Sequence, residues 1–158
     1  MVMMYETFCA EETFAIGKRL GEKAAAGQIY TLTGDLGVGK TVFTQGFAAG
    51  LSVAEPVNSP TFTIVQVYDT GRLPLYHFDA YRIGDVAEMD EIGYEDYFFG
   101  DGVCLIEWAE LIEEIIPAGA VAVTIQKQPG RGADYRRITI AGADLHENFC
   151  RERNMVQS

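Results

Sequence analysis

Lys40 and Thr41 close the run Gly34-Asp35-Leu36-Gly37-Val38-Gly39-Lys40-Thr41, which fits the phosphate-loop pattern of glycine, four residues, then glycine-lysine-threonine. Glycines let such a loop take backbone torsions closed to other residues, and they clear Cβ atoms from the path of a phosphate. Its N–H groups can then converge on an anion at the positive end of the following helix. Lys40 would set its ammonium on the β- and γ-phosphates of a nucleotide, and Thr41 would offer its hydroxyl to a bridging Mg2+. The cradle is expected to run from Gly34 through Asp35, Leu36, Gly37, Val38, Gly39, Lys40 and Thr41 to Val42.

Such a loop needs a second protein group on the magnesium side, usually an acid at the end of an apolar strand. Glu107 after Val103-Cys104-Leu105-Ile106 and Asp79 after Leu75-Tyr76-His77-Phe78 both qualify. The first strand is the more continuously apolar, as a central parallel strand should be, so Glu107 is the expected magnesium acid. Asp79 is then expected to orient the attacking water or to hold the metal through a water. His77 shares a strand face with Asp79 by period 2 and reads as a hydrogen-bonding neighbour rather than a base.

The elements that must position these groups are legible in the periodicity. Gln28–Thr33 reads as a buried strand before the loop, and Thr41–Leu51, with Val42, Phe43, Phe47, Ala48 and Leu51, as the helix after it. Glu11–Ala26 reads as an amphipathic helix closed by Gly27. Thr61–Tyr68 and Leu75–Asp79 read as a hairpin, followed by short helical pieces at Val86–Ile92 and Tyr94–Phe99 around Gly93. Gly102–Glu107 is a strand and Ala109–Ile116 a short helix stopped by Pro117. Ala120–Lys127 and Tyr135–Ala141 are strands joined by Pro129-Gly130-Arg131-Gly132, and Asp144–Arg153 is a terminal helix with loose ends. The expected fold is a single three-layer α/β domain of the P-loop NTPase type over residues 1–158, its sheet mixed and mostly parallel and flanked by helices.

Size and composition narrow the class further. The 158 residues suffice for one full core, and no apolar run is long enough to cross a bilayer. The first residues lack a basic region and an apolar core, so no signal peptide is expected. Cys9, Cys104 and Cys150 lack metal-ligand spacing and are expected to be reduced thiols in a cytoplasmic protein. Residues 1–126 carry 6 Lys or Arg against 19 Asp or Glu, whereas residues 127–158 carry 6 against 4. From Asp85 to Glu114 there are 11 acids and no base. Such a surface repels phosphate backbones, so tight direct nucleic-acid binding is not expected; a solvated face or a dock for a basic protein is.

Ser59-Pro60-Thr61-Phe62-Thr63, then His77-Phe78-Asp79-Ala80-Tyr81-Arg82, then Glu107-Trp108, in this order after the loop, resemble the TsaE family. Over about residues 10 to 140 this similarity implies a small bacterial ATPase required to make threonylcarbamoyladenosine in transfer RNA. It implies ATP on the loop, Mg2+ on Thr41 and Glu107, and a requirement for Asp79 in turnover. By the same resemblance, Ser59 and Thr61 belong to a switch segment near the γ-phosphate. Trp108 matches a functionally important position, Thr13 lies near the adenine, and Arg131 is an arginine of the C-terminal hairpin near the nucleotide. Arg82 is expected to pair with local acids. TsaD and TsaB are the implied protein partners. Cys9-Ala10 replaces the Ser or Thr that often caps the family's first helix, and Ala109 replaces the proline that commonly follows the Glu-Trp pair.

A small-molecule kinase is the alternative enzyme reading, but Arg82 is the only arginine between Pro74 and Lys127, too few for a phosphate-closing lid. A GTPase would need an Asn/Thr-Lys-x-Asp segment, and none of Lys18, Lys23 or Lys127 is followed two residues on by Asp. A nucleotide-gated binding module with negligible turnover is the non-enzymatic alternative.

Overall fold

The structure is a computed structural model that describes residues 2–35, 37–60 and 63–142. Leu36, Thr61, Phe62, the expected helix 144–153 with His146 and Cys150, and the last residues lie outside the described ones. The elements are, in order, β1 (Val2–Thr7), α1 (Ala10–Lys23), β2 (Ile29–Thr33), α2 (Lys40–Gly50), β3 (Val65–Tyr68) and β4 (Leu75–Asp79). They continue with α3 (Ala87–Glu91), α4 (Tyr94–Phe98), β5 (Val103–Glu107), a 3-10 helix at Ala109–Ile115, β6 (Val121–Gln126) and β7 (Arg136–Ala141).

One seven-stranded sheet carries them in the order β1-β7-β6-β2-β5-β4-β3. β6, β2, β5 and β4 are mutually parallel, while β7 and β3 run against their neighbours and β1 runs against β7. Five strands therefore share one direction, and the sheet is mixed and mostly parallel, as the strand–helix alternation predicts. The fold is that of a P-loop NTPase-type α/β protein.

Alternation along the central strands sorts side chains to two apolar layers. Tyr30, Leu32, Val103, Leu105 and Leu75 pack with Ile16, Leu20, Phe43 and Phe47 of α1 and α2. Ile29, Cys104, Ile106 and Phe78 pack on the other face with Met89, Phe98 and Ile112. Burial there pushes the Cys104 thiol up to about 12, so it stays a neutral apolar filler. No helix among the described residues is long and apolar enough to cross a membrane.

α1 and α2 cross closely because each carries two glycines one turn apart, Gly17 and Gly21 on one and Gly46 and Gly50 on the other. A Cβ on Gly17 or Gly21 would strike the carbonyl of Phe43 or Phe47. A Cβ on Gly46 or Gly50 would strike that of Phe14 or Lys18. The interlock is reciprocal and made of backbone, so it has no soft side chain to yield.

Several boundaries differ from the expected ones, each for a local reason. α1 stops at Lys23 rather than Ala26. The Arg72 guanidinium donates to the carbonyls of Gly21, Glu22 and Ala24 at 2.7, 3.0 and 2.7 Å, and Gln28 Oε1 accepts from Ala25 N–H. These bonds satisfy groups that another helical turn would have used. β3 starts at Val65 rather than Thr61, since Ile64 sits at φ +69° and donates its N–H to Pro60. The helix after β5 is a kinked 3-10 helix, with Ile112 off helical torsions. β1 has no counterpart among the expected elements: Met3, Tyr5 and Thr7 face the core, and Val2, Met4 and Glu6 face out.

Candidate functional site

Strand β2 delivers the loop to the carboxyl ends of the parallel strands, where open α/β sheets bind their ligands. Gly39 caps α2 at φ +111°, a torsion that places its N–H in the loop and disfavours any other residue. Gly34 has a different reason to be glycine, since a Cβ there would meet the Ile125 carbonyl and the Val38 side chain. Beyond the chain neighbours, no described residue comes within 4 Å of where a Cβ would stand on Gly37 or Gly39.

Lys40 is the first residue of α2 and is only 7% exposed. Its Nζ stands 4.1 Å from the centre of the Trp108 ring, a cation–π seat. Trp108 itself occupies the left-handed region at φ +60° immediately after β5, and its indole packs against the half-exposed Tyr81 ring, centroids 4.9 Å apart and planes tilted by 55°. Strained torsions on a non-glycine residue cost of order 1–3 kcal/mol, and here the contacts to Lys40 and Tyr81 offset it.

β4 and β5 are parallel neighbours in which His77 pairs with Leu105 and Asp79 with Glu107; Glu107 also pairs with Leu32 of β2. Leu75, His77, Asp79, Leu105 and Glu107 thus share the face on which α2 lies. Asp79 is 6% exposed, with Oδ2 accepting from Ser59 Oγ at 2.7 Å and Oδ1 accepting from the Tyr81 N–H at 2.9 Å. Glu107 is 5% exposed, and its Oε2 lies 2.7 Å from His77 Nε2.

A cleft of about 490 Å³ joins Gly37, Gly39, Lys40, Thr41, Val42, Ser59, Asp79, Tyr81, Glu107 and Trp108. Among the described residues no trio of His, Cys, Asp or Glu could hold a metal unaided. Magnesium keeps waters and binds through one or two carboxylates plus substrate phosphates; Thr41 and Glu107, which both line the cleft, would be its protein ligands.

A second cleft of about 220 Å³ lies across the loop, lined by Cys9, Ala10, Thr13, Gly37, Val38, Gly39, Val42, Asp134 and Arg136. Thr13 is buried there, its hydroxyl 2.8 Å from that of Thr7. Cys9 stands at the N-cap of α1 without a side-chain capping bond to the helix backbone; Glu12 Oε1 accepts from Phe8 N–H. Arg131 lines neither cleft. Its guanidinium is 3.1 Å from Glu6 and 4.4 Å over the Tyr135 ring, and Glu6 is held below the usual carboxylate range first by the Tyr135 hydroxyl and then by Arg131. Arg82 is exposed and also lines neither cleft.

Sequence reasoning passed over Arg136. Its Nε donates to the Val38 carbonyl at 2.6 Å and its Nη1 to the carbonyls of Ala133 and Tyr135, both at 2.7 Å. It ties the middle of the loop to the start of β7. The Arg136-Arg137 pair was visible in the chain, but only the register of β7 decides which arginine turns toward the loop.

Fold and loop together define a nucleotide-loop α/β protein, and comparison narrows the class. The family model described as "Threonylcarbamoyl adenosine biosynthesis protein TsaE" matches residues 8–138. The Bacillus subtilis "tRNA threonylcarbamoyladenosine biosynthesis protein TsaE" is 47% identical over 95% of this chain and 92% of its own length. The Treponema pallidum protein of the same name is 38% identical over 74% and 86%. A crystal structure of Bacillus subtilis YdiB superposes with a TM-score of 0.82 at 41% identity, covering 100% of this chain and 97% of that one. The chain belongs to the TsaE family.

Proposed function

We propose that this chain is a magnesium-dependent ATPase of tRNA threonylcarbamoyladenosine biosynthesis, and that ATP turnover drives or resets a complex of TsaB and TsaD. One observation carries the chemistry. Lys40, Thr41, Ser59, Asp79 and Glu107 come from α2, the loop before β3 and the ends of β4 and β5, yet line one cleft. The pathway is inferred from the names of the family and of the relatives.

In this reading the first cleft takes the triphosphate and the second takes the nucleoside beside Thr13, with the loop as the wall they share. Lys40 neutralises charge that spreads over the phosphate oxygens as the terminal phosphoryl departs. Asp79, held by the Tyr81 N–H, accepts a hydrogen bond from the attacking water and aligns it. Magnesium, held by Thr41 and Glu107, would supply further charge neutralisation on the phosphates. Ser59 links Asp79 to the segment before β3, so a group that pulls the Ser59 hydroxyl away would free Asp79 Oδ2 for water. That is a route by which phosphate occupancy reaches the surface a partner touches.

The test is ATP hydrolysis measured with and without magnesium, and with and without TsaB and TsaD, for the wild type and Glu107→Ala. Metal-dependent turnover stimulated by the partners, and lost in the variant, is the expected outcome. Equal turnover by the two proteins would remove Glu107 from the site, and phosphoryl transfer to a metabolite with little hydrolysis would replace the ATPase by a kinase.

A further inference from the structure

We propose that His77 makes Glu107 a one-oxygen ligand, and that this sets the preference of the cleft for magnesium over calcium. The inference rests on the magnesium reading above and adds a positioning residue to it. His77 is 1% exposed on β4, and among the described residues the one hydrogen bond of its ring runs from Nε2 to Glu107 Oε2 at 2.7 Å. Nδ1 is fully buried with no hydrogen-bond partner among the described residues. A ring with one bonded nitrogen and one orphan is placed for that single bond, because an unpaired buried nitrogen costs free energy that an apolar side chain in its place would avoid.

The consequence falls on the carboxylate. Glu107 is itself 5% exposed, yet it lines the cleft. No described residue hydrogen-bonds its Oε1, while Oε2 is engaged by the imidazole. Both side chains leave adjacent strands of a rigid parallel ladder, His77 one pleat behind the Asp79–Glu107 row. The carboxylate is therefore fixed in rotation, with one oxygen committed and one presented. Magnesium takes six ligands in near-ideal octahedral geometry and suits a single carboxylate oxygen. Calcium takes six to eight at longer range and gains from a carboxylate that can turn to offer both. An ionised Glu107 cannot donate, so the bond requires the proton on Nε2.

The experiment uses a fluorescent N-methylanthraniloyl-ADP and reads equilibrium affinity as magnesium or calcium is added, with no turnover involved. His77→Gln places an amide nitrogen where Nε2 stood; His77→Asn places it where Nδ1 stood, too short to reach Glu107. The asparagine variant is expected to lose roughly 10-fold or more of the magnesium-over-calcium preference, the size of effect seen when a ligand's supporting bond is removed. Metal-free ADP affinity should stay unchanged, and the glutamine variant should keep most of the preference. Equal behaviour of the two variants, or an asparagine variant indistinguishable from wild type, would overturn the inference. Wild-type affinity that ignores magnesium would instead overturn the magnesium reading itself. With two histidines in the chain, 15N NMR of labelled imidazole gives a check that needs no variant. A protonated His77 Nε2 is expected, and a bare Nε2 would sink the proposal.

Discussion

At the scale of single residues, the three charged groups of the cleft arrive already restrained by named neighbours: Lys40 by the Trp108 ring, Asp79 by Ser59 and the Tyr81 N–H, Glu107 by His77. Such second contacts fix side chains near the geometry chemistry needs, and their loss is felt at the reacting atoms. Arg136 extends the principle to the backbone, because it holds the Val38 carbonyl from outside the loop. Charged hydrogen bonds of this kind contribute about 1.5–3 kcal/mol each. Arg136→Met is accordingly expected to weaken ADP binding roughly 10-fold or more by titration calorimetry. Turnover at saturating ATP should change far less, since the guanidinium faces the second cleft rather than the reacting phosphate. An unchanged binding constant would show that the loop keeps its shape unaided. Lys40, Thr41, Asp79 and Glu107 were legible as candidates because motif spacing and strand ends are local properties of the chain. Which arginine of the last hairpin reaches the loop was not, since turn geometry and β7 register decide it.

At the scale of elements, the sequence read best where structure is short-range. Strand β2, helix α2, strand β4 and the pair of short helices around Gly93 fall within about one residue of where periodicity and breakers put them, while β3 keeps its end at Tyr68 but starts later than expected. Gly93, at φ +71°, is the joint between those helices. β1 escaped because its inward positions are Met3, Tyr5 and Thr7, and the outward Val2 and Met4 blur the alternation that announces a half-buried strand. The crossing of α1 and α2 escaped for a different reason. The four-residue glycine spacing is visible on both helices, but that they face each other is a fact of three dimensions. This crossing carries Thr13 to the second cleft, so its perturbation should be felt there. Gly46→Ala is expected to cost about 1–3 kcal/mol of stability, the usual penalty for forcing atoms into a close-packed contact. Urea unfolding measures that cost. Its KM for ATP should also rise as α1 is pushed off α2. A stable variant with an unaltered KM would uncouple the helix contact from the cleft.

At the scale of the whole molecule, a net charge of −11 surrounds the phosphate cradle with an opposing field. The helices α3 and α4 and the 3-10 helix carry most of the acidic run on the face opposite α1 and α2. Free tRNA should therefore not be retained in filter binding at micromolar protein and about 150 mM salt, conditions under which basic proteins hold nucleic acid electrostatically. Retention that persists, and that falls with added salt, would place a phosphate-binding surface on this chain after all.

The seat beneath Lys40 has a practical side. Trp108 is the chain's sole tryptophan, and a cation rests on its face. On the proposed role of Lys40, the molecule carries a built-in optical gauge: its one indole emits from the spot the ammonium would leave on turning to a bound phosphate. Departure of the ammonium would alter the field across that ring, so the state of the cradle would be written in the colour and yield of the protein's own emission, with no label attached.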